Sequence, residues 1–240
     1  MIGSGTGKMW RGVLPRPEAT LQVDVIADLA CPWSFLGKKR LDDALAAVHG
    51  PSNVTWYPFQ INPEMPDHGM PLADYISAKF GDPEKLQPTL DGLVLAGKAQ
   101  GIDFRFDRIT HVPNTLNAHR LMNLAQQQSA DTSLLAEKIL YGFFALGLDI
   151  SDREVLAELG AEAGLGATEV FTTLEDERSR QIVLSQEAEV RRFGVTGVPD
   201  FLINKKMFVI GPQRAEDLVN VFDRVMFGDE SDLPGSPSLH

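Results

Sequence analysis

Leu21–Gly37 reads LQVDVIADLACPWSFLG, and this one stretch passes from strand to break to helix. Val23, Val25 and Ile26 are β-branched strand formers, and Asp28 falls at the strand exit. Cys31 is the only cysteine of the chain. Pro32 suits a first helical turn, where its missing N–H has no partner to lose. Phe35, Leu36, Leu41, Ala44, Leu45 and Val48 then recur near helical spacing. The sulfur therefore stands where unpaired backbone N–H groups and the positive end of a helix dipole converge. Both favour thiolate over thiol, so a lowered pKa and a reactive Cys31 are expected. A small buried hydrophobe is the other reading of a lone cysteine.

A second stretch bears on that choice. Val195-Thr196-Gly197-Val198-Pro199 leads into the strand-like Asp200-Phe201-Leu202-Ile203-Asn204. A Gly-Val-Pro entry to a strand suits a cis-proline turn, and an ordinary trans proline at the start of an edge strand is the alternative. Between the two stretches, Val54 to Phe59 alternates like a strand parallel to the first. The Cys31 helix would be its right-handed crossover. From Leu72 to about Phe193 the periodicity is helical almost throughout. Leu135, Ile139, Phe143 and Leu146 share one face. Ser151 with Glu154 has the spacing of a capping box. Gly194 closes the helical stretch. Met207–Ile210 completes a hairpin, and a last helix follows with Ala215, Leu218, Phe222 and Val225 on its core face.

Four marks stand in order: Cys31-Pro32-Trp33-Ser34, Trp56-Tyr57-Pro58-Phe59 with Asn62-Pro63, Val112-Pro113-Asn114-Thr115 with Ala118-His119-Arg120, and Gly197-Val198-Pro199. Together they resemble the thioredoxin superfamily, and within it the DsbA family. Within that family the chain looks most like the FrnE-like branch, which adjoins 2-hydroxychromene-2-carboxylate isomerases and kappa-class glutathione transferases. The expected fold is α/β and thioredoxin-like, with a large all-helical insertion. Residues 21–62 and 194–228 would form the discontinuous thioredoxin-like part and 63–193 the insertion. Residues 1–20 and 229–240 read as tails. One departure from the dithiol members matters: the second cysteine position holds Ser34. Intramolecular disulfide exchange needs a resolving thiol, and this chain has none.

The resemblance implies a thiol–disulfide oxidoreductase in which Cys31 attacks, Ser34 assists, and an external thiol such as glutathione resolves. Asn114 reads as the N-cap of a helix, and the resemblance turns that end, with His119 one turn on, toward the thiol. Pro32, Trp33, Asn62, Val198 and Pro199 would border the substrate. Val198 would offer its backbone N–H and C=O to an extended peptide or to glutathione. In glutathione-using relatives the start of the last helix holds the γ-glutamyl group, which points to Gln213. A glutathione-dependent isomerase or transferase acting on a small aromatic substrate stays open, as does a non-catalytic binding module.

The rest of the composition narrows the classes. A net charge of −11 argues against a broad nucleic-acid face. No apolar run reaches the roughly eighteen residues of a membrane span. The first twenty residues lack the apolar run of a secretory signal, so a cytoplasmic location is expected. Gly3 to Lys8 fails the phosphate-loop spacing. His49, His68, His111 and His119 have no ligand spacing with a cysteine or carboxylate, so no metal is expected. No tightly bound cofactor is expected either, and a homodimer is left open.

Overall fold

The computed structural model describes residues 20–228. The two tails expected from the sequence lie outside these residues, save for residue 20.

The sheet begins as the opening stretch requires. Strand β1 (Leu21–Ala27) runs into helix α1 (Pro32–Ala47), which returns the chain to β2 (Ser52–Pro58) beside β1 and parallel to it. Strands β5 (Asp200–Ile203) and β6 (Met207–Ile210) add antiparallel on the other side, giving the order β2-β1-β5-β6. β1 is thus central, pairing Val25 with Trp56 on one side and with Phe201 on the other. A central strand covered on both faces needs near-continuous apolar residues, and six of the seven in β1 are buried. The last helix, α9 (Ala215–Phe227), packs against α1.

Between β2 and β5 lie seven helices: α2 (Leu72–Phe80), α3 (Gln87–Ala99), α4 (Leu116–Gln127), α5 (Thr132–Tyr141), α6 (Arg153–Glu162), α7 (Ala167–Glu175) and α8 (Glu177–Arg192). This is a DsbA-like thioredoxin fold, a thioredoxin-like core carrying a helical insertion. The insertion is not all-helical: β3 (Met70–Pro71) pairs antiparallel with β4 (His111–Val112). Two-residue strands carry no period, so alternation in the sequence cannot show them.

Two local expectations need correction. The cap of α6 is Asp152, whose carboxylate accepts from the N–H groups of Glu154 and Val155. Ser151 bonds Asp149 instead. Leu135, Ile139 and Phe143 are buried, but Leu146 is 47% exposed. Residues Gly142–Leu146 form a π-helical turn, and that wider turn carries Leu146 out of phase with the helix before it.

Helix α1 is held to the insertion along its length. Phe35 packs edge-on to Phe104, with ring centroids 5.9 Å apart, and is stacked with Phe144 at 6.3 Å. Such pairs are worth roughly 0.5–1.5 kcal/mol beyond the area they bury. One turn on, the buried Lys38 ammonium lies 2.5 Å from Asp42 and 2.6 Å from Glu137 of α5. Removing either carboxylate would leave a poorly compensated charge in the interior. Among the described residues no helix is long and apolar enough to cross a membrane.

Candidate active site

Cys31 occupies the N-cap position of α1 in extended conformation, and its carbonyl accepts the first helical bond, from Phe35. Pro32 takes the first helical position and Trp33 is 40% exposed beside it. The Sγ–H points to the Val198 carbonyl, 3.8 Å away and 167 residues on in sequence. The Val198–Pro199 peptide bond is cis. Val198 is half-buried and Pro199 buried. Gly37 sits under that proline. A Cβ there would lie 2.7 Å from Pro199 Cγ and 3.3 Å from the Phe201 ring. A glycine inside a helical pattern is the one sequence signal for this close approach.

The thiol is not in the state expected from its place in the sequence. Cys31 is 2% exposed, and burial pushes it up to about 11. The Ser34 N–H and hydroxyl and the Trp33 N–H favour the thiolate, while the charge of Asp28 opposes it. The helix start does act in the expected direction, but loss of water outweighs it.

Asp28 is the group the sequence reading passed over. Its carboxylate is 2% exposed and accepts from the N–H of Ala30 at 3.1 Å, the N–H of Ile61 at 2.6 Å, and the Thr115 hydroxyl. Burial nevertheless holds its pKa above the ordinary carboxylate range. It thus ties three segments together: the turn before Cys31, the loop after β2, and the entrance to α4. An acid in an apolar stretch three residues before a cysteine was the available signal.

His119 closes this buried corner. Its Nε2 lies 4.0 Å from Asp28 Oδ1 and has no hydrogen-bond partner among the described residues, while the ring bonds the Phe59 backbone. Burial pushes its pKa down to about 4, so it is neutral near pH 7. Asn114 braces the same loop: Nδ2 donates to the Met65 carbonyl at 2.7 Å, and Oδ1 accepts from Leu116 N–H at 2.9 Å and from Gln60 at 3.3 Å. The cap position of α4 is Thr115 rather than Asn114, but it is the Asn114 side chain that accepts a first-turn N–H, from Leu116. Gln60 is also held from α8: Glu187 accepts its N–H at 2.9 Å, and Arg191 donates to its carbonyl at 2.5 Å. Arg191 also stacks 4.1 Å over Phe59. Glu187 and Arg191 stand at i,i+4 on α8, and only the fold shows that both reach Gln60.

Two expected site residues point elsewhere. Asn62 Oδ1 accepts from Tyr75 at 3.2 Å and from Lys79 at 2.8 Å, tying the loop to α2. Gln213 is exposed, and its Nε2 donates to the Ile210 carbonyl at 2.7 Å. It stays near the proline loop through Gly211, whose N–H bonds the Pro199 carbonyl at 2.8 Å. Among the described residues no group of histidine, cysteine and carboxylate side chains could hold a metal.

Asp200 follows the cis proline and is 4% exposed; burial raises its pKa from 3.8 to about 6, against one bond from Gly211 N–H. The folded protein therefore keeps this proton to higher pH than the unfolded chain. The stability it contributes is complete below pH 3.8 and is lost as pH rises through about 6. Asp200→Asn should remove this slope and stabilise the protein at pH 7 by on the order of 2 kcal/mol. Urea denaturation at pH 4 and pH 7 checks it; identical pH slopes for wild type and variant would refute it.

Comparison with known proteins agrees with this fold. Over 90% of this chain and 93% of the other, the structure matches a probable DsbA oxidoreductase, SCO1869 of Streptomyces coelicolor, with TM-score 0.78 and 30% identity. More distant in sequence are a 2-hydroxychromene-2-carboxylate isomerase (TM-score 0.66, 15% identity, covering 85% of this chain and 95% of that one) and the cytosolic disulfide reductase DsbM of Pseudomonas aeruginosa solved with GSH (0.63, 19%, 85% and 98%). At those identities the likeness is one of fold. Residues 22–223 match the family model of the DSBA-like thioredoxin domain, a span that runs from the first strand through the cysteine and the cis proline into the last helix. The chain therefore belongs to the DSBA-like thioredoxin domain family.

Proposed function

We propose that this family member is a thiol–disulfide oxidoreductase that works with one thiol. The observation that carries the reading is the Cys31 sulfur at the start of α1, 3.8 Å from the Val198 carbonyl and beside the cis Pro199. In the free protein Cys31 is held as the thiol at neutral pH. An extended disulfide substrate pairing with Val198 as an added strand takes over that carbonyl and leaves the sulfur to ionise. Cys31 thiolate then attacks one sulfur of the substrate RS–SR′. The S–S bond breaks, and R′S⁻ leaves and takes the proton that Cys31 lost. The product is a Cys31–S–SR mixed disulfide. With Ser34 in the second position no internal thiol resolves it. Glutathione thiolate attacks the R sulfur, releasing RS–SG and the Cys31 thiolate. DsbM, a disulfide reductase of this fold, was solved with GSH, which supports glutathione as the external thiol here.

Incubation with oxidised glutathione followed by intact-mass spectrometry tests this. Wild type should gain one glutathionyl group, and Cys31→Ser should gain none while keeping its circular dichroism spectrum. Tight binding of reduced glutathione with no adduct at any pH would refute the disulfide chemistry and favour the isomerase or transferase class.

A further inference from the structure

A cavity of about 290 Å³ opens where the N-terminal ends of α4, α6 and α8 meet the loop at Asp67, and Cys31 is not among its walls. Its lining is richer in cations than the molecule as a whole. The chain carries a net −11, yet this wall has Arg120, Arg153 and Arg180 against a single carboxylate, Asp67.

Arg120 is built in rather than draped over the surface. It is 5% exposed. Its Nε donates to Ser179 Oγ at 2.7 Å, Nη2 to the carbonyls of Thr173 at 2.6 Å and Asp176 at 2.8 Å, and Nη1 to Asn117 at 3.0 Å. A guanidinium has five N–H groups, so one Nη1 hydrogen has no acceptor among the described residues. The other two arginines are loosely engaged. Arg153 lies 3.8 Å from Glu175 and Arg180 3.7 Å from Asp67, and these carboxylates are 70% and 82% exposed. Exposed pairs at such distances contribute little and yield to a competing anion. After burial, the charges of Arg180 and Arg153 lower the pKa of Arg120, against smaller opposing effects of Glu177 and Asp176, so the three guanidiniums act on one another. Gathered like charges repel, and an anion bound among them would relieve that repulsion.

We propose that this cavity binds the phosphate group of a small phosphorylated compound. A carboxylate offers two coplanar oxygens, whereas a phosphate presents acceptors in three directions and up to two charges, matching three converging guanidiniums. The volume is at the lower end of ligand pockets, so the organic part is small. Asn114 lines the cavity and also braces the loop beside the thiol site, which puts the two sites on a shared wall.

Isothermal titration calorimetry with inorganic phosphate and with glycerol phosphate, in low chloride at pH 7.5, tests the assignment. Both should bind with Kd below about 1 mM. Arg153→Gln combined with Arg180→Gln should weaken binding at least about ten-fold without changing the rate of Cys31 alkylation. Both side chains are at least a third exposed, at 47% and 35%, so folding is not at stake. Asp67→Asn should tighten binding several-fold. No heat beyond that of chloride at equal ionic strength overturns the proposal. So does undiminished binding by the double variant, weaker binding by Asp67→Asn, or succinate binding as tightly as phosphate.

Discussion

Cys31 is expected to react with iodoacetamide at pH 7 about 100-fold more slowly than an unhindered thiol. Only the thiolate is alkylated, and a pKa of about 11 in place of 9.0 cuts its fraction by that factor. The rate should keep climbing with pH until it approaches 11. Asp28→Asn should shift the profile downward, because the Asp28 charge is one of the influences that raise Cys31. Some loss of stability should accompany that change, since an amide cannot accept all the bonds that the carboxylate now takes from Ala30, Ile61 and Thr115. A wild-type midpoint below 9 would show that the helix start outweighs burial, and would return the site to the lowered pKa expected from the sequence.

Ser34 should be sensitive in two directions. Read from the sequence, its hydroxyl is a solvated first-turn group whose loss changes stability little. The structure places it at 1% exposure, where Oγ accepts from Asp28 N–H at 3.3 Å and also bonds the Cys31 sulfur. Ser34→Ala leaves that buried N–H without its acceptor, a loss of about 1–3 kcal/mol. It also removes one influence that favours the thiolate, so alkylation should slow further. Ser34→Cys supplies the resolving thiol that the chain lacks. Its oxidised form should be two hydrogens lighter, and insulin reduction with dithiothreitol as reductant should exceed that of wild type. Equal urea midpoints and equal alkylation rates for wild type and Ser34→Ala would show that the hydroxyl merely occupies its place. Absence of an internal disulfide in Ser34→Cys would show that the second position has lost the geometry of a dithiol site.

The order of the elements was legible in the sequence. β-branched residues in 21–27, a proline at the first helical position, a long helical period and a hairpin before the last helix are local patterns, each written by neighbours a few residues apart. Those same patterns brought Cys31 to a helix start and Pro199 to a strand entry. Local signals failed where phase or charge depended on a distant partner. The π turn at Gly142–Leu146 moved Leu146 outward, and Glu187 with Arg191 turned out to grip Gln60 across 127 and 131 positions. The chain by itself determined a thioredoxin-like core with one thiol and no second cysteine. Only the tertiary structure decided that this thiol is protonated, that Ser34 is buried, that Asp28 and Asp200 hold raised pKa values, and that three arginines share a cavity. Protonation and burial are set by what removes water and which charges stand nearby, and here those groups come from segments that meet only when the chain folds.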